Sequence, residues 1–232
     1  MAGALYVISA VPAGFSVSVL LKLAVRGDPA ATAANILASE GTFRLGFVAE
    51  IVGIMFFVAS ALLLYELFTP AGRSLARLAV TFGLIGAAIQ SLDTVADMCA
   101  LLLLKGGSGA AALPVGQAQA LALVLLRMHS LIYDLALVFF GGFSVLTGAL
   151  VLKSRFLPRV IGVLMTLDGL GYLTFSVSMF LSPPFAAHLY PYLPFGTAIL
   201  GEVPLMLWLI VKGVEARRWE ERAAGGGATC DA

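Results

Sequence analysis

Six carboxylates stand inside stretches of this chain that are otherwise almost wholly apolar: Glu50, Asp93, Asp97, Asp134, Asp168 and Glu202. Carboxylates withdrawn from water can bind a cation, share a proton between two of their number, or act as acid and base beside a suitable partner. Two further residues could join them: Arg127, which adds a fixed positive charge, and His129, whose imidazole titrates near neutrality. In a lipid environment each buried acid costs about 2.5–3.5 kcal/mol on insertion scales, so each marks a site by default and should face a protein interior.

Spacing groups several of them. Gly83, Ala87, Gln90, Asp93, Thr94 and Asp97 recur at intervals of three and four, which on a helix makes one narrow stripe of small and polar side chains. A similar stripe runs through Arg127, Ser130, Asp134, Gly141, Ser144 and Gly148, and shorter ones through Gly46, Glu50, Gly53 and Ser60, through Asp168, Gly169, Gly171 and Tyr172, and through Gly201 and Glu202. Stripes of this kind also let membrane helices approach one another, so Gly83, Ala87 and Ser60 read first as packing positions. A charge network that merely locks helices rivals a ligand site for the acids.

The elements that must position these groups follow from composition. The chain of 232 residues is 60% hydrophobic and 12% charged, with a mean hydropathy of +1.01, which lies outside the range of soluble domains. Spans of about 20 apolar residues cross a lipid core, since the backbone must satisfy its own hydrogen bonds there. Six segments qualify, at 4–24, 45–68, 78–104, 119–152, 160–181 and 195–212, the fourth too long for a single crossing. The expected fold is therefore all-α, a polytopic transmembrane helical bundle of six spans. Nine of the 14 Lys and Arg residues fall in 69–77, 153–159 and the C-terminal segment, against five on the other side, so the N and C termini are expected in the cytoplasm. Asp28 and Pro29 open a short extracellular helix after the first span, which Gly41 should close. Residues 1–219 read as a single transmembrane domain and 220–232 as a flexible cytoplasmic tail. The N-terminus lacks a basic region and a cleavage site and reads as an uncleaved first span. Cys99 and Cys230 should sit at different depths and stay unpaired.

Counted from the external ends, Glu50, Asp97, Asp134 and Glu202 fall in the outer half, Asp93 slightly deeper and Asp168 near the middle. One outward-facing pocket could hold them all, with Arg44, Arg127 and His129 at its mouth. Other chemistry is excluded more firmly. Two histidines are too few for a three-histidine zinc hydrolase, all four lysines lie at span ends where no retinal Schiff base could form, and no Ser–His–acid set shares a depth. Tyr133-Asp134 with Asp168-Gly-Leu-Gly differs from an intramembrane aspartyl protease pair, because here the glycines follow the aspartate. No basic patch with interleaved aromatics points to nucleic acid.

Four stretches, GDPAATAANILASEGTFRLGFVAEIVGI, LLRMHSLIYDLALVFFG, SRFLPRVIGVLMTLDGLGYL and GEVPLMLWLIVKGV, together resemble a bacterial and archaeal family of small integral membrane proteins, the domain of unknown function 4386. The resemblance runs from about residue 4 to 219. It implies a helical bundle in the plasma membrane and no activity, and it directs attention to Glu40, Arg44, Arg127, His129, Asp168, Gly171, Gly201 and Glu202. Asp93 and Asp97 lie outside those stretches.

The expected function is binding or transport of a small polar or cationic ligand, or of an ion, by Glu50, Asp93, Asp97, Arg127, His129, Asp134, Asp168 and Glu202. The alternatives are a membrane-embedded enzyme for a lipid or quinone-like substrate, working through Asp134, Arg127 and His129, and a structural or regulatory subunit. No catalytic residue, metal centre or cofactor is expected, and the lipid bilayer is the one partner the sequence names.

Overall fold

The structure is a computed structural model that describes residues 2–106 and 112–227. Among the described residues every regular element is helical: α1 (Ala2–Leu23), α2 (Pro29–Ala38), α3 (Glu40–Leu104), α4 (Val115–Ser154), α5 (Arg159–Leu181), α6 (Pro183–Leu189), α7 (Tyr192–Val211) and α8 (Ala216–Gly227). Five of these, α1, α3, α4, α5 and α7, are long and apolar enough to cross a membrane. Their outward faces are greasy throughout, with Leu92 at 57%, Val95 at 55% and Ile199 at 62% exposure, as a lipid-facing surface requires.

The expected spans at 4–24, 160–181 and 195–212 are α1, α5 and α7. The second and third expected spans, 45–68 and 78–104, lie on the two arms of α3, and the connection expected over 69–77 is shorter than a loop: the helix breaks only at Gly72, where the backbone is extended (φ 166, ψ 95). Pro70, two residues before the break, has no amide to donate to the carbonyl of Glu66, which weakens the ladder there. Straight, 65 residues would reach about 98 Å, over three times a hydrocarbon core. The element instead folds back on itself: Lys105 Nζ, just past its C-terminus, lies 2.9 Å from the carboxylate of Glu40 at its N-terminus. The two arms of α3 are antiparallel.

Short elements obey local chemistry. The Asp28 carboxylate accepts the amide of Ala31 at 2.9 Å and caps α2 as expected. The helix ends at Ser39, not Gly41, since the Ser39 amide already donates to Asn35 and Ile36 and Glu40 begins α3. The Pro-rich stretch before α7 forms α6 and a cis Tyr190–Pro191 bond. The stretch from residue 220, expected as a flexible tail, is helical through Gly227, and residues 228–232, with Cys230, lie outside the described residues. Cys99 is exposed and unpaired.

The chain falls into two compact units. One contains Met1–Val7, Val58–Ala87 and Asp134–Ala232; the other contains Ile8–Phe57 and Ala88–Tyr133. In the first, α4 and α5 meet along a glycine seam. The carbonyl of Gly169 lies 2.9 Å from where a methyl on Gly141 would stand, and the carbonyls of Gly162 and Gly148 lie 2.6 and 2.9 Å from methyls on Gly148 and Gly162. Only glycine admits backbone this close, and the approach substitutes for the hydrophobic driving force that lipid does not supply. In this unit α8 also closes against the polar ends of other helices. The Trp219 indole N–H donates to Leu67 O at 2.9 Å, Arg218 to Arg155 O at 2.9 Å and Arg222 to Lys153 O at 3.1 Å. In the second unit Val19, Leu23, Ile36, Phe43, Ala100, Leu101, Ala122 and Leu126 form an apolar cluster.

Candidate functional site

The unit formed by Ile8–Phe57 and Ala88–Tyr133 gathers Glu50, Asp93, Asp97 and His129. Glu50 comes from the first arm of α3, the two aspartates from the second, and His129 from α4. The stripe on the second arm turns inward as its spacing requires: Asp93 is fully buried, Thr94 and Asp97 nearly so, while Leu92 and Val95 point out. Glu50 is 4% exposed and held at both oxygens, accepting Ser16 Oγ at 2.9 Å and Gln90 Nε2 at 3.1 Å. His129 Nδ1 lies 3.1 Å from Asp97 Oδ2. The ring N–H is not aimed along that line, so the contact is one of charge and distance, not an aligned hydrogen bond.

Asp93 is the anomaly. Neither of its oxygens has a hydrogen-bond partner, nor has Oδ1 of Asp97. Buried polar groups are almost always satisfied, and a buried carboxylate with no donor is among the most unfavourable arrangements a fold can hold. Among the described residues no Lys or Arg forms an ion pair with Glu50, Asp93 or Asp97. One atom each of Glu50, Asp93 and His129 lie within 4.8 Å of one another, close enough to converge on a common ion.

The other unit holds a different group. Asp168 on α5 is fully buried with both oxygens unpaired, close to the buried hydroxyl of Ser144, which is also unpaired. Thr197 is near, but its hydrogen is committed to Leu193 O at 2.8 Å. Gly201 makes this packing possible, since a methyl there would stand 2.6 Å from Asp168 Cβ. On α7 Glu202 accepts the Tyr172 hydroxyl at 3.0 Å and also interacts with Tyr6. Asp134 is buried in the same unit.

The eight expected residues thus divide. Glu50, Asp93, Asp97 and His129 come together in one unit, and Asp134, Asp168 and Glu202 belong to the other. Arg127 joins neither group: it is exposed, and it forms no ion pair among the described residues. The reason lies in α4. Its buried positions are 118, 122, 126 and, mostly, His129 in one unit, but 134, 137, 141, 144 and 148 in the other, so one stripe drawn through 127, 130 and 134 misses the change of face. Arg44 is likewise half-exposed and pairs with Glu40 at 2.7 Å. Ser16 and Tyr6 are invisible in the sequence, because a lone hydroxyl in an apolar span gives no signal until its partner is known.

A family model described as a domain of unknown function, DUF4386, matches residues 1–213. No curated protein and no solved structure matches the chain.

Proposed function

The chain belongs to the domain of unknown function 4386 family, and from that premise we propose that it is a plasma-membrane protein of six crossings that binds a small cationic ligand or an ion at Glu50, Asp93, Asp97 and His129. Six crossings follow from five apolar helices of which α3 makes two. The bias of nine basic residues to five supports cytoplasmic termini, and it puts the cluster in the outer half of the bundle.

The observation that carries the reading is Asp93: fully buried, with neither oxygen donated to, and facing two more acids and one imidazole. A site tuned for a ligand is under-satisfied without it, whereas a structural lock completes its own hydrogen bonds. The two roles make opposite predictions. Asp93→Asn removes a like charge from the cluster and should raise the thermal stability of the ligand-free protein while abolishing stabilisation by added cations. Thermal unfolding of the purified chain against a panel of inorganic and small organic cations measures both. A destabilised Asp93→Asn protein together with a wild type indifferent to every cation would mean that the acids only hold helices together. A reporter fused after residue 227 tests the topology, and activity of a reporter that works only outside the cytoplasm would reverse it.

A further inference from the structure

We infer that the cluster is a site for a divalent transition-metal ion, with Glu50, Asp93 and His129 as ligands and Asp97 positioning the imidazole. This rests on the cation-binding reading and narrows it to one class. When ionised, three carboxylates with one imidazole are net negative whether or not His129 is protonated, and no basic side chain in the described residues forms an ion pair with them. A divalent ion would neutralise most of that charge where water cannot. The donor types choose among the divalent ions: carboxylate oxygens alone suit magnesium and calcium, while an added imidazole favours zinc, manganese or iron.

The pairing supports the assignment in two further respects. A metal-bound histidine commonly gives its second nitrogen to a carboxylate, and Asp97 Oδ2 stands 3.1 Å from His129 Nδ1, so a rotation of the ring on metal binding would aim the N–H at it. Glu50 is anchored by Ser16 and Gln90 through one lone pair of each oxygen, which leaves the others free to coordinate. Donors on tetrahedral zinc stand about 3.3–3.6 Å apart, given bonds of about 2.0–2.2 Å. The present limit of 4.8 Å therefore calls for an inward movement of up to about 1.5 Å, within reach of side-chain rotation. Asp93, with no hydrogen bond to give up, is the group best able to make it.

The test uses the full chain purified in detergent, stripped with a chelator and titrated with Zn²⁺ or Mn²⁺ alone, with bound metal counted by mass spectrometry of the eluted element. One equivalent per chain is expected, falling to near zero in Asp93→Asn and His129→Gln, with an affinity about 10–100-fold weaker in Asp97→Asn. Monodisperse elution of each variant separates lost binding from lost folding. Zinc or manganese binding that survives both Asp93→Asn and His129→Gln would overturn the assignment. So would failure of wild type to bind either metal while sodium or an organic cation still stabilises it through Asp93, an outcome that leaves the broader reading standing. Absence of any Asp93-dependent response to any cation removes both.

Discussion

The seam between α4 and α5 allows a magnitude to be worked from the structure. In Gly148→Ala the new methyl would stand 2.6 Å from Gly162 O and 2.8 Å from Thr166 N, both backbone atoms, where ordinary contact begins at 3.4 Å. Neither obstacle can rotate away, so the helices must withdraw locally by about 0.8 Å. A gap of that size forfeits about a quarter to a half of each dispersion contact, each worth about 0.1–0.2 kcal/mol. Over some tens of atom pairs this amounts to about 1–3 kcal/mol, the usual range for an overpacked core. A value of about 2 kcal/mol lowers the melting temperature of a chain this long by about 4–8 °C. The assay is thermal unfolding followed by size-exclusion chromatography of a fluorescent fusion. Gly116→Ala on the same helix, where nothing lies within 4 Å, is the control and should melt as wild type or slightly above it. If Gly148→Ala melts within about 1 °C of Gly116→Ala, a shift too small for the loss worked above, the backbone contact does not hold the helices together and the reasoning fails.

Three further outcomes are expected. Gln90→Leu removes a donor from the buried Glu50 carboxylate and should destabilise by about 1–3 kcal/mol, read as a lower melting temperature. Arg155 closes α4 in the left-handed region at φ 64, so Arg155→Gly should stabilise by about 1 kcal/mol while keeping the carbonyl that Arg218 uses; a fall in melting temperature would contradict this. Trp219→Phe keeps the ring but loses the bond to Leu67 O, and trypsin should then cleave after Arg217 or Arg218 markedly faster while the core unfolds at nearly the same temperature.

Long apolar runs made α1, α5 and α7 legible almost to their ends, because in lipid a helix is the only local solution for a single strand of chain. Pro70, Gly72 and two arginines marked the connection at 69–77 correctly, but its length was not legible, since a single extended glycine suffices to turn the chain. The stripe on the second arm of α3 was legible, and Asp93 and Asp97 face inward as their spacing demands. What spacing could not give was partnership. Spacing could not say which of the six acids share a compact unit, since a helix as long as α4 turns a different face inward in each unit. Hence Arg127, on the extrapolated stripe, is exposed, and His129, off it, is buried against Asp97. The convergence of Glu50, Asp93 and His129, separated by tens of residues, was invisible for the same reason.

The bonds from Arg218 and Arg222 to the carbonyls of Arg155 and Lys153 join the last helix to a turn made more than sixty residues earlier. During synthesis those carbonyls, at the C-terminal end of α4, have no intrahelical partner and wait in the interfacial water until α8 leaves the ribosome. Residues 216–227 therefore close the end of α4 only after every apolar helix of the described residues has been made. A product that stops at residue 214 has every apolar helix of the described residues but leaves the carbonyls of Arg155 and Lys153 without the donors that α8 supplies.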